Sequence, residues 1–189
     1  MNIIAGTARN LALAEIPDNR VRPTSVRARK ALFDSLGSFA GATVLDLFSG
    51  SGALALESAS RGAAKIFMVE SDPAHIACIR ENCRRVASTG TAAEMIIMEF
   101  NVLHTTGYLS KLDPVPDIIF ADPPYAGSGN FFRTLMNDKK FCSSLRCSRI
   151  VWEIPDTPGA MAEFMDCEAL QESSFRRFGG TLFLLGTIK

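Results

Sequence analysis

Thr43-Val44-Leu45-Asp46-Leu47-Phe48-Ser49-Gly50-Ser51-Gly52 is the stretch on which the fold turns. Residues 43–48 have the length and β-branched and apolar content of a strand buried on both faces. The glycines that follow allow a sharp turn and a close backbone approach to a ligand. Residues 52–61 then read as a helix, whose first turn offers unpaired amides. Strand, glycine loop and helix in that order predict a ligand-binding α/β unit.

The same alternation continues downstream. Residues 65–70, 95–99, 117–121 and 149–154 read as strands. Residues 73–87, a short segment at 104–112, 130–138 and 159–164 read as helices between and after them. Such alternation implies a mostly parallel sheet with right-handed crossovers. The end differs: residues 173–178 and 181–188 flank Gly179-Gly180, a two-residue hairpin signal, so the sheet should finish in an antiparallel hairpin.

Upstream, residues 1–40 read as a small extension to a main domain at 41–189. Residues 2–5 and 11–15 could pair as strands around Gly6. A helix is expected over 25–36, with Thr24 as N-cap and Gly37 past its end. Ala28, Leu32, Phe33 and Leu36 make its apolar stripe, leaving Arg27 and Lys30 outward.

Composition bounds what these elements can do. The chain has 189 residues, 47% apolar and 21% charged, with zero formal net charge, which is ordinary for one folded domain. No apolar run is long enough to span a bilayer, and the start lacks a signal-peptide pattern, so a soluble, cytoplasmic protein without a membrane role is expected. Cys78, Cys83, Cys142, Cys147 and Cys167 form no Cys-x-x-Cys pair, and His75 and His104 have no ligand spacing, so no metal site is expected. Charge is uneven: residues 1–40 carry Arg9, Arg20, Arg22, Arg27, Arg29 and Lys30 against Glu15, Asp18 and Asp34. A local basic patch is the most this supports.

Gly50-x-Gly52-x-x-Ala55 satisfies the dinucleotide fingerprint, and Glu70 lies at the right distance to be its ribose-binding acid. The glycine loop therefore leaves an NAD-dependent oxidoreductase open. Asp46 favours S-adenosylmethionine, because an acid repels a pyrophosphate but attracts a sulfonium and an ammonium. Glu70 ends its strand where it could accept ribose hydroxyls, while Asp72-Pro73 reads as a helix N-cap with proline at the first position. Asn101 is the candidate for the adenine edge, against a simple loop role. Phe48 completes the expected cofactor contacts with Asp46, Gly50, Gly52, Glu70 and Asn101.

Asp122-Pro123-Pro124-Tyr125, directly after a strand, is the most specific motif. Neither proline has an N–H, so the segment presents acceptors only, stiffly held. Two acceptors can hold the hydrogens of an exocyclic base amine and aim its nitrogen, while the Tyr125 ring offers a stacking face for an extruded base. These four residues are the candidate catalytic set.

Taken together, these motifs resemble the bacterial 16S rRNA guanine-N2 methyltransferase family, the RsmD type. The resemblance runs nearly end to end. It is carried by the opening residues 1–6; by Arg22-Pro23-Thr24 with Arg27, Arg29 and Ala31-Leu32-Phe33; by the glycine loop with Glu57 and Arg61-Gly62-Ala63; by residues 122–125; and by Phe178-Gly179 with Thr181. It implies a Rossmann-like class I methyltransferase fold, S-adenosylmethionine as cofactor, and a guanine in 16S rRNA or a small ribosomal subunit particle as target. RNA docking is expected at Arg9, Arg22, Thr24, Arg27 and Arg29, with the alternative that one of Arg22, Arg27 and Arg29 braces the cofactor loop, on a monomeric protein. The Asp-Pro-Pro-Tyr motif is shared with DNA amino-methyltransferases acting on adenine N6 or cytosine N4, so the Arg22 to Phe33 leader is what favours RNA.

Overall fold

The computed structural model describes residues 1–16 and 25–189. The five apolar runs form β1 (Thr43–Asp46), β2 (Lys65–Glu70), β3 (Glu94–Glu99), β4 (Ile118–Ala121) and β5 (Arg149–Ile154). The terminal hairpin supplies β6 (Leu170–Phe178) and β7 (Thr181–Ile188). One seven-stranded sheet results, ordered β3-β2-β1-β4-β5-β7-β6. Strands β1 to β5 pair in parallel, and β7 joins β5 and β6 antiparallel.

Burial explains the continuous apolar runs. Leu45, Phe67, Val69, Ile119, Ile150 and Trp152 face one core. Their strand neighbours Val44, Ile66, Met68, Ile118, Phe120 and Val151 face another. Successive side chains alternate between faces and both faces are covered. Helices α1 (Val26–Leu36), α2 (Ala53–Ser60) and α3 (Pro73–Ala87) cover the Val44 face. Helices α4 (Thr105–Leu109), α5 (Ser128–Asn137) and α6 (Lys139–Ser144), with a 3-10 turn at Ala160–Phe164, cover the Leu45 face.

The N-terminal segment departs from its reading in three ways. Helix α1 is built into the main core: the Phe33 ring lies 5.1 Å from Phe39 and 5.5 Å from Phe120. The pairing expected of residues 2–5 and 11–15 forms over a shorter span: one antiparallel bridge, Asn2 with Ala12, flanked by the Ile3 amide donating to the Leu11 carbonyl and the Leu13 amide to the Met1 carbonyl. The amides of Ile4, Ala5 and Ala8 bond to Glu57 and Ser60 of α2, so the segment is tied to a helix as well as to itself. The N-cap of α1 is Ser25, whose side chain accepts from the Ala28 amide, while the expected cap Thr24 lies outside the described residues. The hairpin turn closes against α1: a β-carbon on Gly179, at φ +54°, would stand 2.5 Å from the Ala28 nitrogen, so only glycine fits there.

Two further differences are local. Asp138, expected as the last residue of one helix, caps a second, its side chain accepting from the amides of Lys140 and Phe141. The helix read at 159–164 is the 3-10 turn, entered through Gly159 at φ +82°.

Candidate active site

The sheet order reverses between β1 and β4, which is where ligands bind in open α/β sheets, at the carboxyl ends of the strands. Asp46 pairs in register with Met68 on one side and Phe120 on the other. The glycine loop after β1, Glu70 at the end of β2 and residues 122–125 after β4 therefore emerge side by side. They line one cavity of about 740 Å³, with Phe48, Asn101, Phe131, His75 and Arg29 also on its wall.

Asp46 is 1% exposed. Its Oδ1 has no hydrogen-bond partner among the described residues. Burial pushes its carboxyl up to about 7, the nearby Glu70 charge adds to the rise, and the backbone amides of Ala55 and Phe48 oppose it. A buried polar atom without a partner is costly, so this oxygen is poised for a ligand donor or cation.

Glu70 is differently placed. Its Oε2 accepts from the Gly50 amide at 2.9 Å, and its Oε1 from Ser71 and Asp72 at 2.7 and 3.0 Å. It thus ties the glycine loop of β1 to the tip of β2. His75 Nδ1 lies 3.4 Å from Oε2. Asp72 caps α3 as expected, accepting from Ala74 and His75, with Pro73 in the first turn.

Gly50, at φ +53°, has room where a side chain would go: a β-carbon would meet nothing nearer than Ile16 Cδ1 at 3.9 Å. Ile16 is itself a wall residue, so a side chain at position 50 would intrude on the cavity. Gly52, an expected contact, is the left-handed N-cap of α2 and does not line the cavity. Asn101 reaches the cavity and also accepts from the Leu103 amide at 2.9 Å. The Phe48 ring stands edge-on to Phe131, centroids 5.2 Å apart, giving the cavity an aromatic side.

Asp122, Pro123, Pro124 and Tyr125 also line the cavity. Tyr125 is 50% exposed. Its hydroxyl donates to Glu153 Oε1 at 3.1 Å, and Glu153 is buried. Sequence reading missed Glu153, although an acid inside the apolar strand Arg149–Ile154 was a usable signal.

The expected docking residues separate. Arg9 and Arg27 are exposed, and Arg22 and Thr24 lie outside the described residues. Arg29 corrects the reading: it is 1% exposed, faces inward and lines the cavity. It stands three, four and seven residues before Leu32, Phe33 and Leu36, so it shares their buried face. Among the described residues no group of His, Cys, Asp and Glu is arranged to hold a metal, and no helix is long and apolar enough to cross a membrane.

Residues 1–175 match the family model described as conserved hypothetical protein 95. A relative from Escherichia coli K12, ribosomal RNA small subunit methyltransferase D, is 33% identical over 127 residues, covering 66% of this chain and 60% of that protein. The Haemophilus influenzae protein of the same name is 30% identical over 128 residues, covering 66% and 64%. The matched region thus spans less than two thirds of either relative's length. Among solved structures, a hypothetical protein of Thermus thermophilus is 27% identical, with a TM-score of 0.67 and coverage of 100% and 99%. Precorrin-6y C5,15-methyltransferase from Geobacter metallireducens has the same TM-score at 15% identity over 100% of both chains, a likeness of fold alone.

Proposed function

The chain belongs to the family described as conserved hypothetical protein 95, and from that premise we propose that it transfers a methyl group from S-adenosylmethionine to the exocyclic N2 amine of a guanine in 16S rRNA. The observation that carries this reading is one cavity shared by a buried Asp46, whose Oδ1 has no partner among the described residues, and the acceptor segment at residues 122–125. The names of the relatives support rRNA as the class of target.

The residues suit the cofactor. When bound, S-adenosylmethionine supplies an electrophilic methyl on a cationic sulfonium beside an ammonium. Asp46 offers an anion for that positive end, Glu70 and Gly50 a hydrogen-bonding edge for the ribose side, and Asn101 a polar group for the adenine. Phe48 and Phe131 exclude water. On the target side, Asp122 and the carbonyls of the following prolines accept from the amine hydrogens, orienting its nitrogen. A guanine amine is not basic; its proton becomes acidic only as the new N–C bond forms. Asp122 then stabilises the developing positive charge, a contribution of position and electrostatics. Tyr125 supplies a stacking face.

In this proposal the first forty residues dock RNA, with Arg9, Arg22 and Arg27 meeting phosphate. Methyl transfer from labelled S-adenosylmethionine to small-subunit rRNA and to duplex DNA, followed by nucleoside mass spectrometry, tests the whole reading. N2-methylguanosine in rRNA is the expected product. Methylated adenine or cytosine in DNA instead would overturn the choice of target. S-adenosylmethionine at a hundredfold over its dissociation constant should stabilise the fold by about 2.7 kcal/mol, and NAD should not.

A further inference from the structure

The cavity wall carries Glu15, Asp46, Glu70 and Asp122 but, among the described residues, only one lysine or arginine, Arg29. Its side chain sits on α1 and is buried to 1% exposure. Burying a guanidinium is costly unless its donors are met. Here Nη2 donates to the Asn2 carbonyl and, among the described residues, Nη1 meets only the Met1 sulfur, a weak acceptor. Nε has no partner among the described residues. The buried acid Glu57 is already engaged: it accepts from the amides of Ile4 and Ala5 and from Arg61 Nε. A buried cation thus lines the same cavity as a buried acid, each with a polar atom that has no partner among the described residues.

We propose that Arg29 binds the α-carboxylate of the cofactor's amino-acid end, while Asp46 takes the positive groups beside it. This deepens the cofactor reading and rests on it. S-adenosylmethionine carries one anionic group, that carboxylate, next to an ammonium. A cavity holding one unsatisfied arginine and one unsatisfied aspartate matches such a zwitterion in both signs. The planar guanidinium suits a carboxylate, which can take two of its N–H groups at once. A chain phosphate of RNA is a poorer match, because Arg29 lies inside the cavity and not on the surface.

The test compares two ligands on one protein: S-adenosylmethionine, and its decarboxylated analogue, which keeps the sulfonium and the amine. Calorimetric titration of the wild type should show about 10- to 100-fold weaker binding of the analogue, the scale of a hydrogen bond to a charged group. Arg29→Met should bind both ligands alike, and Arg29→Lys should keep part of the preference. Because Arg29 also anchors residues 1 and 2, each variant is read by the ratio of its two affinities, measured on material with a cooperative melt. A wild-type ratio near one, or an Arg29→Met variant with the wild-type ratio, overturns the proposal while leaving the cofactor reading intact. Failure of the wild type to bind S-adenosylmethionine overturns both. The salt dependence of rRNA binding should be the same in Arg29→Met as in the wild type; a flatter slope would assign Arg29 to phosphate and overturn the proposal.

Discussion

The tips of β1 and β2 each present a carboxylate to one cavity, and the two are opposite in kind. Glu70 is dressed: three backbone amides, those of Gly50, Ser71 and Asp72, donate to it. Asp46 is buried, one of its oxygens bare of any partner among the described residues, and its carboxyl is pushed up to about 7. The dressed acid holds two strand tips together. The bare acid is left for whatever fills the cavity. A residue type at a strand end therefore does not define a role; what has already claimed its lone pairs does.

The largest effect should come from neutralising the bare acid. Its pKa is about 7 when folded against an ordinary value of 3.8. Between those values the folded chain holds a proton that the unfolded chain has released, so stability falls as pH rises from about 4 to about 7. Above pH 7 the penalty is on the order of 4 kcal/mol at most. Asp46→Asn should remove it. Without cofactor the variant should be more stable than the wild type at pH 8, the gap closing towards pH 4, yet it should bind S-adenosylmethionine more weakly. Wild-type affinity should also rise with pH through about 7, as the anion forms. Parallel stability–pH curves for the two proteins in denaturant titrations would break the contrast between the two acids.

Asp122 brings a third acid into the comparison, at the tip of β4, and its effect should appear in turnover. Asp122→Asn keeps the shape and one acceptor oxygen but deletes the charge. Cofactor and RNA affinities should stay near wild type while single-turnover methyl transfer falls by about 10²–10³-fold, the scale of losing one well-placed electrostatic contact. An unchanged rate would make this carboxylate structural.

Much of this arrangement was legible in the sequence. The bounds of β2, β5 and α3 fall where periodicity puts them, because each is a buried run or a capped amphipathic segment. The glycine loop and the Asp-Pro-Pro-Tyr segment were found because backbone constraints mark them. Partnership was not legible. That Glu70 reaches across to Gly50, or that the amides of residues 4, 5 and 8 bond to α2, depends on contacts between elements distant in sequence. Helix α6 was missed because Asp138 closes one helix and opens the next. Arg29 was misread for another reason. Its spacing put it on the buried face, but charge argued for the surface, and charge is the weaker guide where a cavity can receive it.

Glu70→Ala sharpens the comparison from the dressed side. Cofactor affinity should drop about ten- to hundredfold, the range for hydrogen bonds to a charged acceptor, with turnover at saturation little changed, because ribose contacts are remote from the reacting methyl. Unlike Asp46→Asn, this variant should also be less stable than the wild type without cofactor, since the amides of residues 50, 71 and 72 lose their acceptor. Glu70→Gln, which keeps an acceptor oxygen, should recover part of that stability. A variant that lost affinity at unchanged stability would show that the clamp on Gly50 contributes nothing to the apo fold.

The smallest effect should come from Tyr125→Phe, which tests whether another acid is spent on holding the protein as Glu70 is. Glu153 is 3% exposed and accepts from the Tyr125 hydroxyl at 3.1 Å, while the tyrosine ring itself is half exposed beside the cavity. Stacking needs only the ring, so removing the hydroxyl leaves the base platform and loosens its tether. The cost should be about 0.5–1.5 kcal/mol, seen as a modest rise in KM for RNA with cofactor affinity unchanged. Tyr125→Ala removes the ring too and should cost roughly 1–3 kcal/mol. Glu153→Gln tests the tether from its other end: a neutral acceptor remains, so its effect should not exceed that of Tyr125→Phe, and combining the two should add little. Fully additive losses would mean that Glu153 acts on the site by another route than the tyrosine it touches.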